Sequence, residues 1–125
     1  MKVAVAVIFN EAGEVLITRR PLHASHGGMW EFPGGKLEVD ESPQDALIRE
    51  VKEEIGLHVL SHQFLGEITH SYGEKTVNLL VFSIDKYTGD ARCLESQMDL
   101  HWANIDSLST YNFPEANNKI IALLR

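Results

Sequence analysis

The stretch Ser42–Gly56, "SPQDALIREVKEEIG", allows one local structure and thereby limits what the rest of the chain can be. Ser42 has the hydroxyl of an N-cap, Pro43 suits the first helical position, and Asp45 completes an S-x-x-D capping pattern. Gly56 stands where a helix closes on a left-handed residue. At the helical period, Leu47, Ile48, Val51 and Ile55 gather on one side, while Glu50, Glu53 and Glu54 lie on or near the other. The apolar side needs a sheet or a second helix to cover it. The acidic side is harder to account for. Glu50 faces both Glu53 and Glu54, each pair costs about 0.2–0.5 kcal/mol, and the C-terminal end of the helix dipole disfavours them further. A solvated acidic face would explain a lone E-x-x-E-E, and so would a cation site.

The flanking segments are strand-like. "KVAVAVIF" is rich in valine, turns at "NEAGE" and continues as "VLITRR", which predicts a hairpin with its turn near Asn10–Gly13. "PLHASHGG" predicts a loop, "MWEF" a short strand, and "PGG" a further loop. "LHVLSHQFLGEITHSY" and "TVNLLVFSID" predict strands flanking a turn around Gly73, and "HWANI" a short final strand. After Pro114 a helix is expected, with Ile120, Ile121 and Leu124 packed inward. With no repeat and no long linker, residues 1–125 are expected to form one domain, an α/β fold with a mixed sheet between helices.

A chain of 125 residues can build a core without a metal or a disulfide to hold it. The net charge of -7 argues against a nucleic-acid polymer as partner, since that needs a basic surface. It leaves room for a small anionic substrate, because a bound divalent cation reverses the local sign. Cys93 is the single cysteine, so no intrachain disulfide forms, in keeping with a reducing compartment. The apolar run Val3–Phe9 is short for a signal peptide and far too short for a membrane span. A cytoplasmic protein without membrane contact is expected. The six histidines, at 23, 26, 58, 62, 70 and 101, lack zinc-ligand spacing and read as surface or loop residues.

Just before the helix lies "EFPGGKLEVDE". Adjacent Gly34 and Gly35 let the backbone approach a ligand, and Lys36 offers a point charge for phosphate. A hard cation such as Mg²⁺ takes oxygen ligands, usually a few carboxylates with phosphates and water. Gly35, then Glu41, then "REVKEEIGL" from Arg49 to Leu57, span 23 residues and resemble the Nudix box at every defined position. "ITRR", "WEFPGGK" and "FPEANNKIIALLR" are similar to the MutT-type branch of that family, which hydrolyses oxidised guanine nucleoside triphosphates.

The resemblance implies a Mg²⁺-dependent pyrophosphohydrolase, with Mn²⁺ as the alternative ion. Glu50, Glu53 and Glu54 would bind metal together with Gly34, through its carbonyl. Glu50 would also orient or deprotonate water, and Arg49 would hold the carboxylates. A further acid would come from Glu95, or from Asp99, because the interval from Glu95 to Trp102 is one residue longer than the family pattern. Arg20 and Lys36 would neutralise phosphate, and Phe32, Tyr72, Lys75, Val77 and Asn117 would form the nucleoside pocket. Glu41 reads either as part of the metal site, directly or through a neighbour, or as a charge favoured by the helix dipole. The implied substrate is 8-oxo-dGTP. Another nucleoside diphosphate linked to X is the alternative, and a non-catalytic nucleotide sensor is the remote one. A monomer is expected, with a dimer as the alternative.

Overall fold

The computed structural model describes residues 1–125. In chain order the elements are β1 (Lys2–Ile8), β2 (Val15–Arg19), β3 (Trp30–Glu31), β4 (Gly34–Lys36), α1 (Pro43–Ile55), β5 (His58–Tyr72), β6 (Lys75–Thr88), β7 (Asp99–Ala103) and α2 (Glu115–Leu123). A 3₁₀ turn at Ile105–Thr110 precedes α2. The helix α1 forms within its caps. Ser42 Oγ accepts the Asp45 N–H at 3.1 Å, and Gly56 closes the helix at φ 76° with its N–H on the Lys52 carbonyl. Ala46, Leu47, Val51 and Ile55 are buried, and Ile48 packs at the margin.

Four strands form one sheet in the order β4-β1-β6-β5, with β1 and β6 parallel, and three form an antiparallel sheet in the order β3-β2-β7. Alternation along β1 and β6 divides the interior in two. Val5 and Val7 join Val77, Leu79 and Val81 in a core closed by Ala116, Ile120 and Ile121 of α2. Ala4, Ala6 and Ile8 join Leu80, Phe82 and Ile84 in a second core, closed by Leu47, Val51 and Ile55 of α1. Each such aliphatic side chain contributes about 1.5–3 kcal/mol when removed from water. Parallel strands buried on both faces read as continuous apolar runs, as "KVAVAVI" does. The result is an α/β sandwich whose central strands see a helix on each side.

Three expectations need correction. The turn at Asn10–Gly13 forms, with Asn10 Oδ1 accepting the Ala12 and Glu14 N–H groups, but it does not close a hairpin ladder. Both edges of β1 are already taken, by β4 and β6, so β2 meets it only at the Phe9–Val15 bridge and pairs in the other sheet. Residues Gly34–Lys36, expected in a loop, are a strand paired antiparallel with Val3–Val5. His70 is not a surface residue. It is 6% exposed on β5, where its ring packs edge-on against Tyr72, and Nε2 lies 4.0 Å from Glu115 at the start of α2. No helix is long and apolar enough to cross a membrane.

Candidate active site

The pairing of β4 with β1 lays the two glycines against the polar side of α1. A Cβ on Gly35 would fall 2.4 Å from Glu50 Cδ, so glycine alone lets this backbone touch the Glu50 carboxylate. Gly34 donates its N–H to Glu54 Oε2 at 2.8 Å. Arg49 ties the rest together. Its Nε and Nη2 reach the two Glu41 oxygens at 2.8 and 2.9 Å, Nη1 reaches Glu50 at 2.8 Å and Glu53 at 3.3 Å, and Nη2 also reaches the Lys36 carbonyl. Such charge-assisted bonds are roughly twice as strong as neutral ones. Glu41, left open between two roles by its sequence context, is thus the residue that holds Arg49. The Arg49 guanidinium lowers the Glu41 carboxyl to about 2.

Carboxylate oxygens of Glu50, Glu53 and Glu95 lie within 4.8 Å of one another. Between the two sequence candidates for the extra acid, the fold brings in Glu95. Asp99 begins β7 opposite Arg19, and its carboxylate lies 3.2 Å from His101. Burial pushes the Glu54 carboxyl up to about 8 against the pull of the Gly34 N–H, with Glu31, Glu50 and Glu95 adding to the rise. Burial also raises Glu50, opposed by Arg49.

Beside these glutamates is a cavity of about 100 Å³ whose walls include Val3, Phe32, Gly34, Leu79, Asn117 and Glu31. Asn117 Oδ1 accepts the Phe32 N–H at 3.3 Å, joining α2 to the segment between β3 and β4. Among the other residues expected in the pocket, Val77 is buried in the core above α2. Tyr72 and Lys75 pair at the exposed end of the β5–β6 hairpin, with the Tyr72 ring 5.9 Å from His26. Arg20 is engaged by Glu31 at 2.8 Å and by the Ser25 carbonyl at 2.7 Å, and Lys36 is exposed on β4.

A match to the NUDIX domain covers residues 4–123, nearly the entire chain. The chain belongs to the NUDIX family. It is 31% identical over 125 residues to the 8-oxo-dGTP diphosphatase of Escherichia coli strain K12, spanning 100% of this chain and 96% of that one. With the CTP pyrophosphohydrolase of the same organism it shares 29% identity over 113 residues, 90% of this chain and 83% of the other. A solved MutT structure, from work on the Aliivibrio salmonicida and Vibrio cholerae proteins, superposes with a TM-score of 0.84 at 34% identity, covering 98% and 95% of the two chains. This NUDIX chain is therefore a hydrolase, a pyrophosphohydrolase of small nucleotides that works with a divalent metal ion.

The donor set fits such an ion. All the convergent groups are carboxylates, hard oxygen ligands, and the single Arg49 guanidinium beside them leaves negative charge for a bound cation to balance. Two residues of this NUDIX site were not picked out from the sequence. Glu31 lines the cavity and is raised by burial against the pull of Arg20. Its one signal was a charge between two aromatics, Trp30 and Phe32, in a predicted strand. Gln97 contacts both Glu95 and α1, and nothing in "LESQ" announced it.

Proposed function

We propose that this NUDIX hydrolase converts 8-oxo-dGTP to 8-oxo-dGMP and pyrophosphate with Mg²⁺, removing an oxidised precursor from the nucleotide pool. The observation that carries the base assignment is the Asn117–Phe32 hydrogen bond at the edge of the cavity. The Phe32 N–H points the amide oxygen of Asn117 toward β3 and leaves the NH₂ uncommitted. Guanine offers O6 and N7 as acceptors along its Hoogsteen edge. Oxidation at C8 turns N7 into an N–H donor. The Asn117 NH₂ then donates to O6, and the second lone pair of Oδ1 accepts from N7–H. With ordinary guanine that oxygen would face a lone pair in a desolvated pocket, at a cost of about 1–3 kcal/mol.

The chemistry belongs to α1, β4 and the loop before β7. Glu50, Glu53, Glu54 and Glu95, with the Gly34 carbonyl, would hold Mg²⁺, which would supply charge neutralisation at the phosphates and lower the pKa of water. Glu50, fixed between Arg49 and the Gly35 backbone, orients the attacking water and accepts its proton. The water oxygen bonds to the β-phosphorus, the bond from that phosphorus to the α–β bridging oxygen breaks, and the monophosphate leaves. Arg20 exchanges Glu31 for phosphate, and Lys36 approaches from β4. Tyr72, Lys75 and Val77 form the far side of the nucleoside cleft.

A panel of triphosphates assayed with Mg²⁺ in ¹⁸O-water tests both parts. The expected result is highest kcat/KM on 8-oxo-dGTP, with the label in pyrophosphate. Label in the monophosphate would move attack to the α-phosphorus, and orthophosphate as primary product would exclude both routes. The 29% identity to a CTP pyrophosphohydrolase supports a second reading, a pyrimidine triphosphate substrate. Highest kcat/KM on such a substrate would replace 8-oxo-dGTP and leave the hydrolytic chemistry in place.

A further inference from the structure

Glu95 reaches the metal-binding carboxylates from a segment, Ala91–Met98, that has no regular secondary structure. Its carboxylate stands within 4.8 Å of Glu50 and Glu53, and like charges at that separation push the segment away. Something must hold it in. The backbone supplies part of the answer, because the last carbonyls of a helix have no partner inside it. Arg92 donates its N–H to the Ile55 carbonyl at 3.0 Å, and Leu94 donates its N–H to the Glu54 carbonyl at 2.9 Å. These bonds secure the segment before Glu95. After it, the chain passes through Ser96 at φ 63°, a conformation that costs most residues energy. At its far end Met98 donates its N–H to the Arg19 carbonyl on β2 at 2.9 Å, and a single side chain ties the turn between to α1. Gln97 Nε2 donates to the Glu54 carbonyl at 3.1 Å, and Gln97 Oε1 accepts the Glu95 N–H at 2.8 Å.

We infer that Gln97 is a positioning residue that clamps the Glu95 carboxylate onto α1 and thereby completes the cation site. One end of its amide grips the helix that carries Glu50, Glu53 and Glu54. The other grips the backbone of the residue that supplies the remaining carboxylate. A glutamine suits this task because its amide has a donor and an acceptor at one terminus. Alanine would lose both bonds, and methionine would keep the length and lose both. Free of the clamp, the stretch from Glu95 onward has the Glu50 and Glu53 charges opposing it and no side chain bond closing it. Outer residues of this kind typically alter metal affinity or activity 10–100-fold.

The inference rests on Glu95 being a cation ligand, so the experiment tests that premise separately. Mn²⁺ binding to the substrate-free full chain is measured by calorimetry for the wild type, Gln97→Ala, Gln97→Met, Glu95→Gln and the double variant Glu95→Gln/Gln97→Ala. Both Gln97 variants and Glu95→Gln should weaken Mn²⁺ binding about tenfold or more, and the double variant should bind no more weakly than the weaker single. Non-additivity of this kind is the mark of two residues acting through one contact. Hydrogen exchange on the metal-free chain should show the Glu95 amide exchanging faster in both Gln97 variants. In turnover, the Mg²⁺ concentration for half-activation should rise about tenfold or more in both Gln97 variants.

If Gln97→Ala and Gln97→Met lower thermal stability but bind Mn²⁺ as tightly as wild type, Gln97 is only a brace for the loop and the inference is overturned. Additive losses in the double variant overturn it as well. If Glu95→Gln itself leaves Mn²⁺ affinity unchanged, the premise that Glu95 is a ligand fails, and the clamp fails with it.

Discussion

Gly34 and Gly35 are neighbours in sequence, yet alanine should do opposite kinds of damage at the two positions. A Cβ on Gly35 would lie 2.4 Å from Glu50 Cδ and 2.5 and 2.6 Å from the two carboxylate oxygens. Carbon atoms in ordinary contact sit about 3.5–4.0 Å apart, so the carboxylate must retreat by roughly 1 Å or more. It is the free end of a side chain and can move, but in moving it leaves its 2.8 Å bond to Arg49 and its place beside Glu53 and Glu95. One charge-assisted bond contributes about 1.5–3 kcal/mol, and the reduced freedom of alanine in the unfolded chain returns about 0.4–1 kcal/mol. Net destabilisation should stay below about 2.5 kcal/mol. Activity is far more sensitive, since a misplacement of about 1 Å in a catalytic group lowers rate about 10²-fold. Gly34 differs on both counts. Its φ is +154°, and a Cβ there would fall 2.1 Å from the Ala4 carbonyl oxygen and 3.0 Å from Val5 Cα, all of it backbone in the adjoining strand. Nothing there is free to swing aside, so β4 must part from β1, at a cost above about 4 kcal/mol. Urea unfolding and pyrophosphate release, measured on both variants, separate the cases. Gly35→Ala should be folded and nearly inactive, and Gly34→Ala should be unfolded or close to it. A fully active Gly35→Ala, or a Gly34→Ala as stable as its neighbour, would refute the steric account of β4.

Three further outcomes are expected. The Glu54 carboxyl has an ordinary value of 4.5 and rises to about 8 in the metal-free fold, so folding retains a proton that unfolding releases. Its stabilising contribution is complete below pH 4.5 and lost as pH rises to about 8, amounting to roughly 3 kcal/mol by pH 7. Urea midpoints in EDTA should therefore fall from pH 5 to pH 8 in the wild type and fall less in Glu54→Gln; equal slopes would assign the effect elsewhere. Glu41 has the opposite sign, its contribution present above pH 4.5 and lost as pH falls toward 2. Because it acts by holding Arg49, Glu41→Gln should reduce kcat about tenfold while changing the nucleotide KM little, as steady-state kinetics would show. Asn117→Ala should erode the preference for 8-oxo-dGTP over dGTP more than it slows dGTP turnover, and equal losses on both nucleotides would remove Asn117 from base recognition.

The helix α1 was determined by its own residues. Ser42, Pro43, Asp45 and Gly56 cap it locally, its apolar residues recur at the helical period, and Glu50, Glu53 and Glu54 share a face wherever such a helix is placed. The chain's membership of its family was legible for the same reason, since the Gly35–Leu57 spacing lies within one continuous segment. What lay beyond the sequence depended on distant segments meeting. The turn after β1 looks like a hairpin turn, but strand partners are chosen by the whole sheet, and β4 and β6 hold both edges of β1, which leaves none for β2. Glu95 and Asp99 are four positions apart and chemically alike. Only the docking of the loop before β7 on the open carbonyls of α1, through Arg92, Leu94 and Gln97, set Glu95 beside Glu50 and Glu53 and left Asp99 on a strand. Glu31 reads as an ordinary strand carboxylate and became a cavity wall only when α2 closed over it with Asn117. Glu41 could have served the helix dipole from where it stands. The Arg49 guanidinium folding back across β4 made it the anchor of the site, because a planar donor pair finds its two oxygens only in three dimensions.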